Sequence, residues 1–275
     1  MSVRPTQTFH PAAWIVWATC AGFVAFVTTD PVYLVLLIAV SWFVHASNRA
    51  TTASDRSFRV FLIAGLVALV LRTSLAFLGA VVPSIGAVTS ATIAFAFLEG
   101  LRLATILVVF GTFNAVTDPF GLVRMAPRRF HEPALAAALA LSIAPRTIAS
   151  VGDVREAQRL RGLPVSGLRS LPSLAVPVLE RGMEEASTLA ESMDARGHGR
   201  GRRSRYRPQR WSVAAIAVAA TAVVAAAAFL SASIAGWGGL HPATAPIAWP
   251  QGDPRLLVAI ALLATPGFLR TDGAP

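Results

Sequence analysis

Along this chain long apolar runs alternate with short polar breaks, and the run lengths predict the elements. Residues 12–29 carry no charge, with Trp14 and Trp17 near the start, where interfacial aromatics often sit. Asp30-Pro31 turns the chain, and residues 32–46 lead back. Residues 58–82 predict a third crossing with Arg72 near its middle; a break at residues 83–86 precedes a fourth, residues 89–117, holding Glu99 and Arg102. A fifth uncharged run covers residues 211–235. Residues 256–269, flanked by Arg255 and Arg270, are short for a sixth, since a helix needs about 20 residues to cross ~30 Å of hydrocarbon. The pattern predicts an all-α integral membrane protein with five to six transmembrane helices. They divide into a bundle at residues 1–118, a cytoplasmic block at 119–210 and a C-terminal helix or helix pair at 211–275.

The block between the fourth and fifth runs has a different periodicity. Glu132-Pro133 opens a helix over residues 134–144, which Pro145 kinks or ends. A second helix runs over 146–161, with Gly162 as its left-handed terminator and Pro164 beyond it. Pro172 and Pro177 bracket a break, and residues 177–196 form a third helix. On it Leu179, Met183, Ala186, Leu189 or Ala190, and Met193 recur every three or four positions. Glu180, Glu184, Glu185, Glu191 and Asp194 take much of the remainder. That is an amphipathic helix for a membrane surface or a partner.

Composition sharpens this. Of 275 residues, 55% are hydrophobic and 14% charged, with a mean hydropathy of +0.60, outside the range of ordinary soluble domains. All 24 basic residues are arginine, so the chain has neither a phosphate-cradling loop lysine nor a Schiff-base amine. Residues 120–210 hold 16 arginines against 8 acids, and the rest of the chain 8 against 6. Basic residues gathered beside membrane spans follow the positive-inside rule rather than a nucleic-acid footprint. By the same rule Arg49, Arg56 and Arg59 place the loop after the second run, and hence a retained N-terminus, in the cytoplasm. Six arginines within residues 200–210 read as an anchor to anionic lipid headgroups. Arg72 is expected to snorkel or face the bundle interior, and Glu99 and Arg102, three apart on one helix face, to neutralise each other as a structural pin. Cys20 stands alone, and His10, His45, His131, His198 and His241 have no ligand spacing, so no cofactor or metal is implied.

One phrase occurs twice in the polar block. Glu156-Ala157-Gln158-Arg159-Leu160-Arg161-Gly162 and Glu191-Ser192-Met193-Asp194-Ala195-Arg196-Gly197 both set an acid five residues before an arginine-glycine helix end. Arginine at a helix C-terminus is favoured by the macrodipole, and glycine after it by its left-handed freedom, so plain capping is one reading. However, neither Arg161 nor Arg196 has an acid three or four positions back, whereas Arg159 has Glu156 at that spacing. Unpaired guanidiniums at exposed helix ends suit bidentate bonds to carboxylates of another protein. Physics leaves both readings open.

The paired Arg-Gly segments after four spans resemble the coupling motifs of the energy-coupling factor transporter T component, the family that includes the cobalt transporter Q-type permeases. Further likeness lies in His10-Pro11-Ala12-Ala13-Trp14, in Glu99-Gly100-Leu101-Arg102, in Ile143-Ala144-Pro145, and in the run from Leu179 to His198. The resemblance implies a scaffold in the bacterial plasma membrane and no enzyme. Its coupling helices would rest on two ATP-binding-cassette ATPases, and another surface would hold a small membrane subunit that captures a vitamin or metal ion. Carried over, Arg161 and Arg196 are the coupling arginines, with Arg159 beside the first. Gly162 and Gly197 are the terminators and Ala195 a close-packing position. Met183, Ala186, Ala190 and Met193 are the capture-subunit contacts. Leu160 departs from the family's usual alanine. Two other readings compete: a conventional ABC permease, whose single docking loop leaves the second Arg-Gly copy unexplained, and an integral-membrane enzyme, for which Glu99 lacks a second carboxylate nearby.

Overall fold

A computed structural model describes residues 9–48, 52–77, 90–162, 171–198, 211–241 and 252–269. Among them every regular element is helical. Residues 200–210, expected to anchor to lipid, and the break expected at 83–86 lie outside the described residues. Two compact units result: Met1–Gly121 with Gln209–Pro275, and Leu122–Pro208.

The first unit holds α1 (Pro11–Val27), α2 (Pro31–Ser47), α3 (Thr52–Phe77), α4 (Ser90–Val116), α8 (Val213–Ala235), α9 (Pro254–Leu262) and α10 (Thr265–Phe268). Three of these start by one device. Proline occupies the first turn, where its missing N–H is harmless, and the preceding side chain accepts the next free N–H. His10 Nδ1 accepts from Ala12 N at 3.2 Å, Asp30 Oδ1 from Val32 N at 2.8 Å and Asp253 Oδ1 from Arg255 N at 2.8 Å. The His-Pro pair at residues 10–11 is thus a helix start, and His10 also stacks on Trp211 at 4.6 Å. α1 packs between α4 and α8, around fully buried Trp14, Trp17, Tyr33 and Phe229.

α3 packs on α4, and there the side chains are small. A Cβ on Gly65 would sit 3.2 Å from the Ala104 backbone, and one on Gly100 3.2 Å from that of Leu69. Lipid supplies no hydrophobic drive between helices, so close backbone approach is what holds such pairs. The opposite side of α3 (Val60, Ile63, Val67 and Val70 among others) is exposed, as a lipid-facing helix requires.

The expected sixth helix is broken. α9 ends at Leu262 and α10 starts at Thr265, and Trp17 Nε1 donates to the freed carbonyl of Leu263 at 2.9 Å. Both pieces still follow α2 from end to end. Tyr33 meets Gly238 and Asp253 at one end, and Asn48 Nδ2 donates to Pro266 O at 3.1 Å at the other.

The second unit contains a short 3-10 turn (Arg128–Phe130), α6 (His131–Leu160) and α7 (Leu171–Ala195), after α5 (Pro119–Arg124), which straddles the unit boundary. Two expectations are corrected here. Pro145 neither ends nor splits the helix: α6 runs continuously for 30 residues. The alanine-rich stretch on its N-terminal side favours helix strongly enough to absorb the lost hydrogen bond. Nor is there a break at Pro172 and Pro177, since α7 begins at Leu171 with Pro172 in its first turn and carries Pro177 inside. Among the described residues four helices are long and apolar enough to cross a membrane, in α3, α4, α6 and α8, while α1 and α2 are shorter at 17 residues. α6, expected in the cytoplasmic block, is thus also apolar enough to span.

Candidate functional site

The two Arg-Gly ends share one geometry. Arg161 caps α6 at φ −81° and ψ 2°; Gly162 then turns left-handed at φ +71° and donates to Arg159 O at 3.0 Å. At the end of α7, Gly197 has φ +76°, its N–H donates to Asp194 O at 2.8 Å, and His198 N–H donates to Met193 O at 3.0 Å. This pair of bonds closes the helix carbonyls in a Schellman motif. A side chain at either glycine would meet the left-handed penalty of roughly 1–2 kcal/mol, which explains the residue type at both positions.

The caps leave the arginines outward. Arg159, Arg161 and Arg196 are exposed, and among the described residues none of them forms an ion pair. Arg159 therefore does not take the Glu156 partner its spacing allows. Leu160 is 85% exposed, so no packing role attaches to it, and Ala195 is exposed as well.

α6 and α7 meet at Asp153 and Arg181, whose charged atoms lie 3.9 Å apart. Arg161 lies eight residues beyond Asp153 and Arg196 fifteen beyond Arg181, about 12 Å and 22 Å at 1.5 Å per residue. No sequence signal marks Asp153 and Arg181, because residues 28 positions apart on different helices share no local pattern.

On α7 the apolar stripe expected from the sequence splits. Val176, Leu179 and Met183 are 54%, 64% and 73% exposed, and Ala186 and Ala190 continue their line. Met193 is half-buried, beside Leu189 and Ser192. The outward stripe is thus Val176-Leu179-Met183-Ala186-Ala190, and Met193 leaves it.

In the first unit, Glu99 and Arg102 form the expected ion pair, Nη1 to Oε1 at 3.2 Å. The guanidinium also lies over the Phe26 ring, 4.6 Å from its centroid, so the pair fastens α4 to α1. Arg72 is half-buried on α3. His45 is buried at the end of α2, stacked on Phe58 at 4.0 Å with Nε2 3.1 Å from Asp55 Oδ1. Among the described residues no His, Cys, Asp or Glu cluster has the grouping of a metal site.

Residues 2–208 match the family described as CbiQ, cobalt transport protein. A relative from Bacillus selenitireducens, named energy-coupling factor transporter transmembrane protein EcfT, is 30% identical over 134 residues. That likeness takes in 42% of this chain and 50% of the relative, so the chain spans about half the length of the curated relative it matches. The family match reaches from the capped start of α1 through both Arg-Gly ends, and with its apolar helices this multi-pass membrane protein belongs to the CbiQ cobalt transport protein family.

Proposed function

We propose that the chain is the membrane-embedded coupling subunit of an energy-coupling-factor importer. It passes the ATP-driven movement of two ABC ATPase subunits to a small membrane subunit that captures a vitamin or transition-metal ion. One observation carries the reading: two helix ends of the same geometry each present an exposed arginine with no ion pair among the described residues. A guanidinium's planar fork donates two parallel bonds to a carboxylate, and a rigid helix end fixes where that fork points. The name of the Bacillus selenitireducens relative supports the same assignment.

In this reading Arg161 and Arg196 bind the ATPases, with Arg159 adding positive charge beside the first. Gly162, Gly197 and Ala195 shape the ends. Met183, Ala186 and Ala190 form the contact for the capture subunit, because a flexible, polarisable side chain suits a surface that repacks between partners. Asp153, Arg155, Glu156, Arg159 and Arg161 hold the last turns of α6 in water or headgroups on the cytoplasmic side, whatever depth its apolar half reaches. Residues 200–210 contribute an anchor to anionic lipid.

The test is charge reversal at both arginines. Arg161→Glu with Arg196→Glu should abolish co-purification of ATPase subunits from the native membrane, while membrane insertion and detergent stability stay as in the wild type. Retention of the ATPases by the double variant would overturn the assignment. A conventional permease would lose docking on changes near one helix end only, and reversal of each arginine singly separates the two.

A further inference from the structure

Arg72 stands on α3 three residues after Leu69 and four before Ala76, so the three share one helix face. That face meets α4, since Leu69 lies against Gly100 and Ala76 is fully buried. Gly65 lies against Ala104 in the same seam, and this register sets Arg72 about level with Phe97. Phe97 is 43% exposed and Leu71, beside Arg72, 55%. The seam is therefore open at this level, with half-buried Arg72 on its edge.

Among the described residues Arg72 forms no ion pair. Glu99, the nearest acid on α4, is held by Arg102, whose guanidinium lies over Phe26 of α1. Asp55 is seventeen residues back along α3, about 26 Å.

Depth argues against lipid headgroups as the counterion. Arg72 lies about 8 Å inside the end of α3 at Phe77 and, at its register, about 10 Å inside the start of α4 at Ser90. Helical side chains lean toward the N-terminus, which for Arg72 leads to the middle of α3 and away from its nearer end. The guanidinium is carried into hydrocarbon, where a charge is costly unless it is paired.

We propose that the open α3–α4 seam at Arg72 receives a transmembrane helix of another subunit, and that an aspartate or glutamate within that helix's apolar span pairs with the guanidinium. A planar fork donating two bonds to one carboxylate in a low dielectric fixes both the depth and the rotation of the incoming helix. This surface is separate from the two Arg-Gly ends, and its partner is defined by chemistry alone. Failure of the ATPase test above would therefore leave it standing.

The chain contains no lysine, so Arg72→Lys keeps the charge and places the protein's single side-chain amine inside the bilayer. Native membranes holding the full complex are treated with dicyclohexylcarbodiimide, which joins an amine to an adjacent carboxylate as an amide while it is hydrated to the urea. The wild type is the blank. The expected product is an amide from position 72 to an Asp or Glu of a different subunit, within an apolar stretch of about 20 residues. An amide to Glu99 of this chain or of a second copy, or no amide at all, overturns the proposal. In that event phosphatidylglycerol that co-purifies with the wild type and is lost from Arg72→Leu would identify a lipid phosphate as the counterion. Arg72→Leu also supplies a second measurement. The isolated variant in detergent should melt no lower than the wild type, while the membrane subunit carrying the acid should be lost from the purified complex. A lower melting temperature with that subunit retained would assign Arg72 a role within its own chain and overturn the pairing.

Discussion

At the scale of single residues, the site depends on what each polar side chain is left to bond with. Arg161 and Arg196 are set apart by what surrounds them, since arginines elsewhere, such as Arg102 and Arg181, have acids within reach. Asp30 illustrates the opposite case, a charge the fold tolerates at a cost. Its Oδ1 caps α2, yet the residue is fully buried and Oδ2 has no partner among the described residues. Burial pushes its carboxyl above the ordinary 3.8, opposed by the N–H groups of Val32 and Tyr33. A carboxyl raised in the folded state contributes stability at low pH and loses it as pH rises through the folded value. Asp30→Asn keeps the cap and removes the ionisation. In detergent melts the variant should match or exceed the wild type at neutral pH and show a flatter dependence as pH rises above the ordinary carboxyl value of 3.8. A wild type whose melting point does not depend on pH there would refute this.

At the scale of elements, two pairs of helices show opposite packing. α3 and α4 approach over Gly65 and Gly100, where a Cβ would sit 3.2 Å from the facing backbone, tighter than an ordinary van der Waals contact. Gly65→Val and Gly100→Val should each cost about 1–3 kcal/mol through overpacking, read as a lower melting temperature, with Gly100 affected because Leu69 backbone cannot step aside. Gly182→Ala, by contrast, should leave the melting point unchanged or raise it. That difference in sign separates a glycine needed for contact from one that faces open space. The same pairs show what sequence could reveal. The turn at Asp30-Pro31 and the glycine terminators at Gly162 and Gly197 are local and were legible, whereas the His10 cap was not read from the residues. The continuity of α6 through Pro145 and of α7 through Pro177 was not, because one proline's penalty of about 3 kcal/mol competes with a whole helix's propensity and packing.

At the scale of the whole molecule, the first unit is held by polar contacts between distant stretches of chain. Tyr33 Oη donates to Gly238 O at 2.7 Å and accepts from Asp253 N at 2.7 Å, tying the start of α9 to α2. Tyr33→Phe leaves both groups without that partner and should destabilise the protein by about 1–3 kcal/mol. Protease sensitivity should increase first in the stretch around residues 238–253, and an unchanged digestion pattern would argue against the tie. Trp17 does the same service at the break between α9 and α10. This explains how a segment too short for a comfortable span follows α2 throughout: its broken backbone is satisfied by side chains from α1 and α2.

The sequence by itself determined that this is a helical membrane protein, where most helices begin and end, and which two arginines stand at glycine-closed ends. Those features depend on run length, charge and caps, all of which act within a few residues. Tertiary structure decided which arginines meet an acid among the described residues, which face of α7 is exposed, and that α6 and α7 meet through Asp153 and Arg181. These depend on neighbours from other helices, and volume between helices leaves no mark on any single stretch of sequence.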